Sequence, residues 1–270
     1  EAALFVQALR PDGGAPHAGA LAAAKLHIPV AHVEAGLRSF NMLMPEEINR
    51  ILTDQLSDIL FCPTDAAVKN LESEGFLNKR AQIHKVGDVM QDSALFFSKI
   101  SKNFNTDLAD GKQFILATIH RAENTDDASR LTEIVLALNE LHRKIAPVII
   151  PLHPRTQAAI EKLDLSLEAK IIDPLGYLEM LDLLQRCSLV LTDSGGLQKE
   201  AFFFGKYCLT IRDQTEWVEL IEIGANRLVS ADFKIILSTA KENIGRSVRD
   251  EKDLYGGGTA SQQIVELLER

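Results

Sequence analysis

One alternation constrains this chain more than any other feature: short apolar runs recur along nearly its whole length, separated by segments of helical length and period. The runs at 3–7, 29–33, 59–62, 83–86, 114–119, 147–152, 170–172, 189–192 and 207–211 have the length and aliphatic content of buried strands. Between them, 18–26, 65–74, 127–143, 154–163, 177–185 and 196–204 carry helical apolar spacing, and a final pair of helices follows Asp232 and Thr259. Strands alternating with helices of this length build parallel sheets covered on both faces, so the predicted class is α/β. A further helix starts at Pro45, where proline fits the first turn and Glu46 and Glu47 suit the positive end. Its apolar stripe, Ile48, Ile51, Leu52 and Leu56, is expected to face the core and to leave Glu46, Asn49, Arg50 and Thr53 on other faces. After Gly87 the pattern passes into a long helix and then the polar stretch 101–112, where a domain junction is expected.

Composition narrows the function. A formal charge of −9 argues against non-specific nucleic-acid binding, so any anionic ligand must meet locally placed cations. Cys62, Cys187 and Cys208 are odd in number, far apart and set in apolar runs, which suits core thiols of a reducing compartment rather than a disulfide framework. With no apolar run of membrane-spanning length, the expectation is a cytoplasmic protein without membrane partners. The chain opens on Glu1 rather than Met, inside what reads as a secondary-structure element, so a fragment of a longer protein is expected.

The chemistry concentrates at predicted strand ends. In Val190-Leu191-Thr192-Asp193-Ser194-Gly195-Gly196-Leu197-Gln198-Lys199-Glu200, an apolar run breaks into a small-residue turn and then into a helix. Such a turn presents free backbone N–H groups and a helix N-terminus at the carboxyl edge of a sheet, which suits a diphosphate; Ser194 can cap the helix, and Glu200 can accept from ribose hydroxyls. Open parallel sheets bind ligands beyond the carboxyl ends of their strands. The polar residues there are Glu34, Thr64, His120-Arg121, His153-Pro154-Arg155, Asp193-Ser194 and Arg212: a carboxylate in the first half, cations mostly in the second.

Four ordered motifs carry a resemblance. His32-Val33-Glu34-Ala35-Gly36-Leu37-Arg38, Pro45-Glu46-Glu47-Ile48-Asn49-Arg50, Thr118-Ile119-His120-Arg121-Ala122-Glu123-Asn124 and the Thr192 to Glu200 string are similar to the signature set of the non-hydrolysing UDP-N-acetylglucosamine 2-epimerases. The resemblance implies a glycosyltransferase-B-type fold of two Rossmann-like parallel-sheet domains with the active site in the cleft. It assigns 1–92 to an N-terminally truncated first domain, 93–256 to a UDP-binding domain, and 257–270 to a helix returning to the first. It further implies a homodimer acting on a UDP-amino sugar, with no nicotinamide and no metal. Carried over residue by residue, it makes Asp12, Glu34, Glu46 and His120 catalytic, with Arg50, Arg121, His153, Leu175, Tyr177, Ser194, Gly195, Gly196, Glu200 and Arg212 on the substrate. Leu175-Gly176-Tyr177 resembles the loop whose backbone reads the uracil. Around Asp12 the chain departs from the family's His-Gly-Asp-Thr-Thr turn, having Arg10-Pro11-Asp12-Gly13-Gly14 instead.

The reaction explains the need for such groups. The C2 hydrogen of a UDP-linked 2-acetamido sugar is not next to a carbonyl, so the C1–O bond must loosen as a base takes the proton. Eliminating UDP to a glycal and re-adding it after protonation on the other face gives the 2-epimer. That requires a base, an acid and positive charge at the departing diphosphate. Plainer roles stay open: Glu46 and Arg50, four apart, suit an ordinary surface ion pair, Glu34 suits a cap on the Gly36 turn, and His120 suits a strand-end backbone contact. Rival functions are a UDP-sugar glycosyltransferase of the same fold, a hydrolysing epimerase and a non-catalytic UDP-binding module. Gly87-Asp88-Val89-Met90 and Ser39-Phe40-Asn41-Met42 favour the branch acting on UDP-2,3-diacetamido-glucuronic acid. A truncated first domain would leave weak UDP binding without epimerisation.

Overall fold

The computed structural model describes residues 5–8, 16–101, 113–251 and 253–269. They divide into two compact units, one of 1–93 with 252–270 and one of 94–251.

The first unit holds β1 (Phe5–Ala8), α1 (Pro16–Lys25), β2 (Val30–Val33), α2 (Pro45–Leu56), β3 (Ile59–Cys62), α3 (Asp65–Ser73) and β4 (Gln82–Lys85). The four strands form one parallel sheet in the order β1-β2-β3-β4. Thr64 caps α3 by accepting from the Ala67 N–H, and Gly75 stops that helix in a left-handed turn. α4 (Val89–Ser101) follows and leads into the second unit. The second unit runs β5 (Ile115–Thr118), α5 (Ala122–Thr125), α6 (Ala128–Lys144), β6 (Val148–Pro151), α7 (Pro154–Lys162), β7 (Lys170–Ile172), α8 (Tyr177–Arg186), β8 (Leu189–Thr192), α9 (Gly195–Phe203), β9 (Cys208–Thr210), α10 (Val218–Glu222), β10 (Asn226–Leu228) and α11 (Phe233–Asn243). α12 (Ala260–Leu268) belongs to the first unit, where Ile264 packs with Ala31, Val33, Phe61 and Val86. The Asp92 carboxylate accepts from the N–H groups of Ala260 and Ser261 at 3.2 and 2.6 Å, so it caps α12 from a distance in sequence.

The second sheet is wholly parallel, in the order β10-β9-β8-β5-β6-β7. Renumbered within the sheet this is the 3-2-1-4-5-6 order of dinucleotide-binding folds, and the direction of winding reverses between β5 and β8. The two helical layers account for its two cores. Leu131, Ile134, Leu138, Val148, Leu191 and Ile236 pack on one face, and Phe114, Leu116, Leu181, Leu184, Val190 and Ala201 on the other. The expected α/β class and parallel alternation are therefore observed.

Two sequence expectations need correction. α10 and β10 were not foreseen, because Asn226-Arg227-Leu228 has no apolar run and forms a short edge strand. The expected apolar face of α2 is turned inward only in part: Ile51 and Leu56 are half-buried, Leu56 against Ala20, Ala23 and Val30. The buried residues of the helix are Glu47, Asn49, Arg50, Thr53 and Asp54, while Ile48 and Leu52 are 39% and 47% exposed. Polar residues of α2 turn inward where polar groups meet them: the buried His32 on β2 faces Asp54, and Glu47 accepts from the Ser39 and Phe40 N–H groups.

Candidate active site

In the second unit the candidate residues gather at the carboxyl ends of β5, β6 and β8, around a cavity of about 380 Å³. His120, His153, Leu175, Tyr177, Ser194, Gly196 and Glu200 all line it, in a wall shared with apolar side chains such as Ile119, Met180 and Leu197. The position is the winding reversal of the sheet, where two loops part and leave a crevice. Ser194 is the N-cap of α9 and accepts from the Leu197 N–H at 3.4 Å. The other N–H groups of that first turn therefore remain for an anion.

Asp193 organises the turn beside it. The side chain is fully buried and accepts from the backbone N–H groups of His120 and Arg121 and from Asn124 Nδ2, at 3.0–3.2 Å. It also lies 3.2 Å from His120 Nδ1, which fixes one edge of a half-exposed imidazole and leaves the other free. The Thr118 and Thr192 hydroxyls meet at 2.6 Å and tie the two strands together just below. The sequence placed Asp193 at a strand end without giving it a role; the donors of the 120–124 segment around its buried carboxylate supply that role.

The remaining second-unit residues take other positions. Glu200 is buried, and its carboxylate accepts the Tyr177 hydroxyl; burial first, and then that negative charge, raises the phenol well above its usual range. Phe97 stands edge-on to Tyr177 with ring centres 5.9 Å apart. His153 caps α7, its Nδ1 accepting from the Arg155 N–H at 3.2 Å. Arg121, Gly195 and Arg212 do not appear in the cavity wall. Arg121 is the N-cap residue of α5. Gly195 accepts from Trp217 Nε1 at 3.0 Å, and Arg212 is buried against Glu216 at 3.0 Å.

In the first unit, Glu34 follows β2 directly and adopts φ +69°, a left-handed conformation that L residues seldom hold. Glu46 lies in the first turn of α2, and its carboxylate makes no hydrogen bond or ion pair among the described residues. Arg50 is buried; its Nε donates to the Glu46 carbonyl at 3.2 Å and its guanidinium lies 3.5 Å from the Glu47 carboxylate. The surface ion pair between Glu46 and Arg50, kept open above, is thus absent, and Glu47 takes the arginine instead. Glu47 also accepts from the Ser39 and Phe40 N–H groups at 2.9 Å, pinning the loop before α2. Asp12 lies outside the described residues. Among the described residues no three His, Cys, Asp or Glu side chains gather in a metal-holding group.

The motif set is matched over nearly the whole chain: the family model for UDP-N-acetylglucosamine 2-epimerase covers residues 12–269. This chain belongs to that family. Its relatives include the UDP-2,3-diacetamido-2,3-dideoxy-D-glucuronate 2-epimerase of Pseudomonas aeruginosa, 63% identical over 257 residues, covering 95% of this chain and 72% of the relative. Among solved structures, the UDP-GlcNAc 2-epimerase of Methanocaldococcus jannaschii in complex with UDP-GlcNAc and UDP is 40% identical. It superposes with a TM-score of 0.85 over 98% of this chain and 75% of that one. The Neisseria meningitidis UDP-GlcNAc 2-epimerase bound to UDP-GlcNAc is 31% identical, with a TM-score of 0.83 over 99% and 76% of the two chains. The glycosyltransferase-B-type α/β fold expected from the motifs is the fold of this family.

Proposed function

We propose that the chain is a UDP-sugar 2-epimerase that interconverts the C2 epimers of a UDP-linked 2-acetamido sugar. What carries the reading is that His120 and the distant Ser194, Gly196 and Glu200 of one strand-to-helix turn line one cavity at the winding reversal of a sheet, in a chain with a 63% identical 2-epimerase relative. The diphosphate is assigned to the first turn of α9, the ribose to Glu200 and the uracil to the Leu175 to Tyr177 segment. Arg212 and Arg121 supply positive charge to the same unit, and His153 a polar cavity edge.

The C2 chemistry is assigned to Glu34 and Glu46, with Arg50 beside the latter and Asp12 as a third carboxylate. One carboxylate removes the C2 proton. The C2–H electron pair becomes the C1=C2 double bond, and the C1–O pair leaves on UDP. In the reverse sense, a carboxylic acid protonates C2 from the opposite face and the UDP oxygen bonds C1 again. No electrons are gained or lost overall, so the chemistry calls for no redox cofactor. His120 stabilises the leaving oxygen by hydrogen bonding while Asp193 holds its ring.

The identity to the Pseudomonas aeruginosa relative favours a 2,3-diacetamido-glucuronate donor. Unpaired, buried Cys62, Cys187 and Cys208 favour work in the reducing cytoplasm. The chain is assigned as a homodimer, a state favoured by the exposed apolar side chains Phe40, Met42, Leu43, Ile48 and Leu52 on α2 and the loop before it. No described helix is long and apolar enough to cross a membrane.

The test is incubation with UDP-2,3-diacetamido-glucuronate, and separately UDP-N-acetylglucosamine, in deuterated water. Deuterium at C2 of recovered donor supports the epimerase. Unlabelled donor with transfer to an added acceptor supports the glycosyltransferase, free sugar supports the hydrolysing reaction, and UDP binding without any of these supports a binding module.

A further inference from the structure

Glu34 must present its carboxylate from an uncommon backbone conformation, which persists only when its surroundings hold it. Part of the hold comes from one residue on another element. Asp54, near the carboxyl end of α2, is fully buried. Its Oδ1 lies 2.6 Å from His32 Nδ1, two residues before Glu34. Its Oδ2 accepts the Gly36 N–H at 3.2 Å, two residues after Glu34, and meets the Arg38 guanidinium at 2.7 Å.

The same stretch is fixed from the other side. Glu74 takes Arg38 through Nε and a terminal nitrogen at 2.6 and 2.7 Å, and Asn70 Nδ2 donates to the Gly36 carbonyl at 3.0 Å. Gly36 itself has φ +78°, and a Cβ there would lie 2.4 Å from the Ala67 carbonyl oxygen, so no other residue fits. Among the described residues His32 Nε2 is buried without a hydrogen-bond partner, so Asp54 is the polar anchor that they give the imidazole. A carboxylate only accepts, so His32 Nδ1 carries a hydrogen directed at Asp54.

We propose that Asp54 is the positioning residue for Glu34: it fixes the chain at 32, 36 and 38 so that the arch between them holds Glu34 in its left-handed conformation. The role rests on the epimerase reading only in that Glu34 is taken as a reacting carboxylate. Buried ion pairs contribute little net stability compared with apolar packing, so what the cluster supplies is a fixed geometry rather than a more stable core. Asp54 touches no substrate in this assignment and acts through His32, Gly36 and Arg38.

The test is Asp54→Asn in the full chain. The substitution keeps the volume and one accepting oxygen, but it removes the charge facing Arg38 and turns an amide N–H₂ toward His32 or Arg38. Two signals are read by NMR without any turnover: the Glu34 backbone coupling and 13Cα shift, which report φ, and the His32 15N shifts, which report the tautomer. Both are expected to move in a folded variant. In the deuterium-exchange assay, kcat is expected to fall about 100-fold with KM within about threefold, as displacement of a reacting group by about 1 Å does. Should Asp54→Asn fail to fold, Arg38→Lys loosens the fork alone and should move the same signals less far. Unchanged Glu34 and His32 signals in a folded Asp54→Asn protein overturn the proposal, as does unfolding of both variants, which would make the cluster a requirement of the fold. Absence of exchange in the unsubstituted chain overturns the epimerase reading instead, while the two NMR signals still decide the role of Asp54.

Discussion

Asp193 accepts from three donors on the 120–124 segment without being exposed to solvent. Replacing it with asparagine sets an N–H₂ against backbone N–H groups and leaves at least one buried donor unsatisfied, a loss of about 1–3 kcal/mol. Asp193→Asn should therefore lower the unfolding free energy in urea by that amount, with a correspondingly lower midpoint, and weaken UDP binding, since the same turn carries His120. Tyr177 and Glu200 make a second separable pair. If Glu200 is the ribose acceptor, Tyr177→Phe should leave UDP affinity within about threefold, whereas Glu200→Gln should weaken it at least about tenfold, or about 1.4 kcal/mol. Calorimetric titration of both variants checks this; equal effects would place Glu200 away from the ribose. The cysteines follow first from burial, which with the Asp54 charge beside Cys62 pushes the Cys62, Cys187 and Cys208 thiols up to about 12. Because the unfolded chain would give up these protons near 9, stability should fall as pH rises from 9 toward 12, and none of the three should react with iodoacetamide at pH 8 unless urea is present.

At the scale of the element, legibility depended on whether a residue's partner lay nearby in sequence. The end of α3 before Gly75 and the Ser194 cap of α9 are local signals, and α6 begins one residue after the expected Asp127, which caps it. The cavity could be foreseen because strand ends in a parallel sheet lie along one edge whatever the loops do. α2 could not, since its apolar stripe follows helical periodicity while its buried face is decided by His32, Arg38 and Ser39 on another segment. Glu47 shows the same limit, for only the folded loop reveals that the second carboxylate of the pair, not the first, meets Arg50. The exposed face makes a prediction. Leu52→Lys should convert a dimer to a monomer in light scattering after size exclusion, with the melting temperature of the monomer close to that of the dimer at low concentration. A dimer unaffected by Leu52→Lys would move the interface off α2.

For the whole molecule, each unit carries its own sheet and core, and one residue reports on the second alone. Trp217 is the single tryptophan of the chain. It is buried, its indole N–H donates to the Gly195 carbonyl at the start of α9, and the Lys199 ammonium lies 4.1 Å from its ring centre. Its emission is thus tied to the helix turn assigned to the diphosphate. A ligand that binds only the folded state stabilises it by RT ln(1 + [L]/Kd), which is about 2.7 kcal/mol at a hundredfold excess over Kd. Denaturation followed by Trp217 emission should shift by that amount when UDP is added, and native emission should change because anion binding at α9 alters the field at the indole. Uridine, lacking the phosphates, should shift the transition less at the same concentration. A Trp217 transition that ignores UDP at concentrations where calorimetry detects binding would put the nucleotide outside the second unit, and would remove Ser194, Gly196 and Glu200 from the site together.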